Sequence, residues 1–123
     1  MTERGRPPLG RAAVAAAIGE EIAAIHTETY DTPVTAATTH VLDDLVVVLL
    51  DIEMTAIEQR MIDFGRGALV HEMRHAVETG ETATFTAAVE HATGRRVTAF
   101  ASHTHLDPPF VTELFRLGPR TAA

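Results

Sequence analysis

Two short stretches of the chain carry residue types whose spacing could do chemistry. His71-Glu72-Met73-Arg74-His75 reads H-E-x-x-H. On a helix, that spacing sets two imidazoles one turn apart on a single metal, with the glutamate as general base of a zinc peptidase. His103-Thr104-His105-Leu106-Asp107 reads H-x-H-x-D. Residues two apart on a strand point the same way, so His103 and His105 could face one transition metal together. His71, His75, His103 and His105 are therefore the candidate metal ligands, and zinc is the candidate cofactor.

The same residues also have a plainer reading. In a chain of this composition, chance places an H-E-x-x-H in about one sequence in thirty, so the motif alone says little. A peptidase also needs a third ligand and a substrate cleft, whereas both histidines here fall on or beside the apolar stripe of their helix. The H-x-H-x-D pattern resembles the signature of the metallo-β-lactamase fold, but that fold is far larger than 123 residues. In strand geometry His103 and His105 share a face with Val97, Ala99 and Ala101. The expectation is therefore that these histidines are structural, core-edge or surface groups and that the chain has no cofactor and no catalytic residues. The alternative is a small histidine-based metal-binding protein or metallohydrolase.

The elements that would position these residues follow from periodicity. Arg11 to about Thr29 is alanine-rich, with Val14, Ile18, Ile22 and Ile25 at helical spacing. Pro33 ends that helix. Val34 to Leu42 and Leu45-Val46-Val47-Val48-Leu49-Leu50 read as two strands joined by a turn at Asp43-Asp44. The second strand has no polar alternation, which predicts cover on both faces: helices on one side and another subunit or layer on the other. Thr55 with Glu58 forms a capping-box pattern, opening a helix expected over 55–79. Its apolar line runs through Ile57, Met61, Phe64, Ala68 and His75, flanked by Ile62, Leu69, Met73 and Val77. Gly65 and Gly67 fall mid-helix, which predicts the close approach of another backbone. A shorter helix over about 82–92 and strands over 97–102 and 110–117 complete the chain. The prediction is one α+β domain over 11–117, in the order α-β-β-α-α-β-β. Two β-hairpins form a four-stranded, mainly antiparallel sheet with helices packed on it. Residues 1–10 read as a disordered lead-in and 118–123 as a loose tail.

Composition narrows the function classes. A net charge of −7, from 17 acidic and 10 basic residues, repels phosphate backbones and anionic lipid, so nucleic acid is not expected as a partner. There is no cysteine, which excludes disulfides, thiolate metal sites and cysteine nucleophiles. With no apolar stretch of about 18 residues and no signal-peptide segment, the expectation is a cytoplasmic protein without direct membrane insertion.

Several short segments, in order and spacing over most of the chain, resemble the MpsC-like family of small bacterial domains. They are Asp43-Asp44-Leu45-Val46-Val47-Val48; Met54-Thr55 with Glu58; Gly65-Arg66-Gly67 with Val70 and Arg74; Thr93-Gly94-Arg95-Arg96-Val97; and Phe110-Val111 with Leu114-Phe115. Where the family pattern has Gly-x-Gly-Pro before the first strand, this chain has Tyr30-Asp31-Thr32-Pro33. The resemblance implies a cytoplasmic accessory domain working with a membrane ion or inorganic-carbon transporter, without established catalytic residues. Independently, 46% hydrophobic content with many small side chains predicts more apolar surface than one small sheet can cover, and hence a homodimer.

Overall fold

The computed structural model describes residues 10–120. The chain runs α1 (Arg11–Tyr30), β1 (Val34–Val41), β2 (Leu45–Ile52), α2 (Ala56–Asp63), α3 (Gly67–Gly80), α4 (Thr82–Thr93), β3 (Val97–Leu106) and β4 (Pro109–Leu117). The four strands form one antiparallel sheet in the order β1-β2-β4-β3. The expected α+β architecture of two hairpins is the observed one. The expected lead-in lies outside the described residues except for Gly10, as do tail residues 121–123. Gly118 is buried and donates its N–H to the Arg96 carbonyl at 2.8 Å.

Strand alternation decides what the sheet covers. On β2, Val46, Val48, Leu50 and Ile52 point into the core, and on β4 Val111, Glu113, Phe115 and Leu117 do the same. They pack with Ile18 and Ile22 of α1 and with Phe85, Ala88 and Val89 of α4. Among the described residues, the opposite face of the sheet carries no helix. There Val47 pairs with His40 and Leu114, and Leu49 with Thr38 and Thr112, and both Leu49 and Leu114 are exposed. The two-sided cover expected for Leu45–Leu50 is thus supplied on one side by this chain. Val47 is half-buried, on the open face.

The helix expected over 55–79 is two helices. Gly65 sits at φ +80°, a conformation that costs an L-residue with a side chain steric strain, and it separates α2 from α3. The phase of α3 is consequently independent of α2, and a single helical wheel through both assigns the wrong face. Val70, Arg74 and Glu78 are buried on α3, whereas Ile57, Phe64, Leu69 and Met73 are exposed. Gly67 meets no neighbouring backbone; a Cβ there would stand 3.1 Å from Leu106 Cδ1. The capping box forms as expected, with the Glu58 amide donating to Thr55 Oγ1 at 3.2 Å and the Thr55 amide to Glu58 Oε1 at 2.8 Å.

Candidate functional site

Polar side chains from α1, α2, α3 and β4 meet under the sheet. His26 continues the Ile18 and Ile22 stripe of α1 at four-residue spacing, Glu78 continues Val70 and Arg74 on α3, and Glu113 alternates with Val111 and Phe115 on β4. Each element's own periodicity therefore carries at least one ionisable group inward. His26 Nε2 lies 2.6 Å from Glu113 Oε1 and 3.7 Å from Glu78 Oε2. The side chains of His26, Glu78 and Glu113 are 2%, 3% and 0% exposed. The His26 ring also packs against Phe85 and Tyr30, with centroids 5.2 and 5.6 Å away.

A second buried pair closes one side of this cluster. Arg74 donates from Nε to Glu58 Oε2 at 2.7 Å and from Nη2 to Glu58 Oε1 at 2.8 Å, and its guanidinium lies 4.0 Å from the centre of the Tyr30 ring. Burial opposes charge on Glu58, but the Arg74 fork and the Thr55 amide outweigh it and hold the carboxyl below its usual range. The positive charge of Arg74 is thus already matched by Glu58. No second cation of this chain faces Glu78 and Glu113 among the described residues apart from His26, whose pKa burial lowers. Burial, together with the neighbouring Glu113 charge, pushes Glu78 up to about 7, and burial pushes Glu113 up to about 8. Both Glu78 oxygens, Glu113 Oε2, His26 Nδ1, Tyr30 Oη and Ser102 Oγ lack a hydrogen-bond partner.

Three of the four histidines singled out by motif lie at the mouth of this cluster. His71, His75 and His103 line a pocket of about 290 Å³ together with Glu72, Glu78, Ser102 and Thr104, so its wall includes Glu78 itself. The His71 and His103 rings stand 5.5 Å apart and those of His103 and His105 4.8 Å apart; His105 stacks on Phe110 at 4.1 Å. His75 and Glu72 are exposed and His71 is half-buried. His103 and His105 share the face of Ala99 and Ala101 as expected, but that is the open face of the sheet. A bulge between Val97 and Ala99 puts Val97 on the other side, opposite Leu117. Among the described residues, the one group of three or more His, Asp or Glu donors gathered within 4.8 Å is His26, Glu78 and Glu113. Motif reading passed over all three, although the spacings above mark His26 and Glu113 as inward-facing.

A family model described as MpsC, Na+-translocating membrane potential-generating system, matches residues 11–118. The chain belongs to the MpsC family. No curated protein and no solved structure matches it. The residues that carry the family resemblance in this MpsC chain are largely ones that hold its elements together. Glu58 and Arg74 are the buried ion pair. Arg95 donates to the Asp43 carbonyl at 2.5 Å, to Asp44 Oδ1 at 2.8 Å and to the Gly118 carbonyl, tying the β1–β2 turn to the end of β4. Gly94 caps α4 in the left-handed conformation. In the Tyr30-Asp31-Thr32-Pro33 segment, Asp31 takes φ +55° to end α1, and Tyr30 supplies the ring under Arg74.

Proposed function

We propose that this chain is a non-enzymatic, cytoplasmic accessory domain of a membrane system that moves sodium or inorganic carbon. The observation that carries this reading is the match over residues 11–118 to a family described by Na+ translocation, in a chain where, among the described residues, no helix is long and apolar enough to cross a membrane. Ion movement is then the work of a membrane-embedded partner. The outward-facing Ile57, Phe64, Leu69 and Met73 of the α2–α3 segment offer that partner an apolar contact, since large side chains exposed in number on a small domain favour burial in a complex. The chain works as a homodimer through the open sheet face, where Val47, Leu49 and Leu114 form an apolar centre rimmed by Thr38, His40, Thr112 and Arg116, a composition suited to a two-fold contact.

The test is removal of the chain from cells that carry the translocating system, followed by measurement of Na+-dependent membrane potential with a voltage-sensitive dye. Loss of potential, restored by the native chain and not by a Leu69→Asp/Met73→Asp variant that folds normally, is the expected result. An unchanged potential overturns the reading. So does a chelator-sensitive peptidase activity of the purified chain that disappears in Glu72→Gln, because that outcome restores the enzyme alternative.

A further inference from the structure

We propose that His26, Glu78 and Glu113 bind a single divalent transition-metal cation, of the zinc or manganese type, in the interior of the domain. Three observations carry the proposal. The first is geometric: one imidazole nitrogen and two carboxylate oxygens, from three different elements, lie within 4.8 Å of one another. Donors on a tetrahedral ion with bonds of about 2.0–2.2 Å stand about 3.4 Å apart. The 3.7 Å separation of His26 Nε2 from Glu78 already fits, and the 2.6 Å contact of His26 with Glu113 needs to widen by less than about 1 Å.

The second observation is the set of unused donors. Both oxygens of Glu78 and Oε2 of Glu113 are buried with no hydrogen-bond partner, in side chains 3% and 0% exposed. Buried polar groups are nearly always satisfied, and carboxylates are costly to leave otherwise. The third is charge. Arg74 is committed to Glu58 through both of its bonds, so Glu78 and Glu113, once they release their protons to a metal, have no counter-charge but the divalent cation itself. One imidazole with two carboxylates suits zinc, manganese or iron better than calcium or magnesium, which prefer oxygen alone, and the absence of sulfur donors removes the soft-metal preference. The pocket walled by His71, His75, His103, Ser102 and Glu78 is the route in from the surface. In this arrangement the H-E-x-x-H histidines stand on the approach and the ligands lie behind them.

The full chain, purified without a histidine tag and stripped with chelator, is titrated with zinc chloride and separately with manganese chloride by calorimetry. The expected result is one ion per chain, with a thermal midpoint that rises with metal concentration because the ion joins α1, α3 and β4 in the folded state only. Affinity falls roughly tenfold or more in Glu78→Gln and in Glu113→Gln, each of which keeps its side-chain shape. The triple variant His71→Ala/His75→Ala/His103→Ala keeps the one-to-one stoichiometry. Long-range proton–nitrogen spectra of the imidazoles in the unmutated chain give a readout that no variant's folding can obscure. A zinc-dependent shift of the His26 nitrogens supports the site. Failure of both metals to bind one-to-one, or zinc shifts confined to the surface histidines with His26 unmoved, overturns it.

Discussion

The imidazole of His26 on α1 meets the carboxylate of Glu113 on β4 at 2.6 Å, across 87 positions of sequence and with both side chains out of solvent. That contact joins the first helix to a central strand through ionisable groups rather than hydrocarbon. Most of the sheet's covered face is apolar, so the polar cluster is a localised departure from an ordinary core, and it makes stability depend on protonation.

Stability of the chelator-treated protein is expected to fall as pH rises from about 6.5 to 8. Glu78 and Glu113 sit at about 7 and about 8 in the fold against 4.5 for the free group. The folded state thus holds protons that the unfolded state has released, and the stability this confers is complete below pH 4.5 and lost on the way up through pH 8. His26, with its pKa lowered, contributes the opposite slope only below its ordinary value of 6.5. Arg74, Glu58 and Tyr30 face the same cluster; Glu58 is held ionised and the Tyr30 hydroxyl is pushed up by burial, so neither of these two titrates in that window. Denaturant unfolding at pH 6, 7 and 8 should show the decline, and Glu113→Gln should flatten it. A native profile that rises over this interval contradicts the assignment.

Arg74→Met should destabilise the chain by about 3–5 kcal/mol, because it strands the Glu58 carboxylate in the interior without its partner. Glu58→Gln/Arg74→Met should cost less than Arg74→Met alone, since no uncompensated charge remains. Thermal or urea unfolding of the single and double variants measures the difference. Equal stability of the two would mean that a stranded Glu58 charge is not what makes Arg74→Met costly.

Val48→Asp and Val47→Asp should differ sharply, although the residues are adjacent. Val48 is buried in the core and Val47 is half-buried on the open face, so the first substitution costs several kcal/mol and the second much less to the folding of one chain. Val47→Asp should instead weaken self-association. Light scattering is expected to give about twice the 13.3 kDa chain mass for the native protein and a mass near one chain for Leu49→Glu/Leu114→Glu. A native mass near 13.3 kDa would remove the dimer.

Gly65→Ala should cost about 1 kcal/mol or more. The space around its would-be Cβ is open, but φ of +80° is not a conformation that alanine adopts without strain. Gly65→Asn should cost less, asparagine being more tolerant of that region. Urea midpoints decide, and an Ala variant as stable as the native chain would show that the α2–α3 break does not depend on glycine.

Much of this was legible locally. The run Leu45–Leu50 between carboxylates, the Asp43-Asp44 turn and the Thr55 capping box depend on neighbours a few positions away, and the observed hairpin and helix start agree with them. The inward positions of the cluster were legible as well: His26 follows Ile18 and Ile22 by fours, and Glu113 alternates with Val111 and Phe115. Motif matching looked instead at His71, His75, His103 and His105, where the residue types were familiar and the faces were not inward. The orientation of α3 was beyond any wheel, because one residue at positive φ resets its phase and exchanges the Leu69 and Met73 face for the Val70, Arg74 and Glu78 face. The meeting of His26, Glu78 and Glu113 is tertiary in the same sense. Periodicity assigns each element an inside, but the offset and crossing of α1 and α3 over β4 decide which inside groups oppose one another, and that offset is set by the packing of Ile18, Ile22, Phe85, Val48 and Phe115 together.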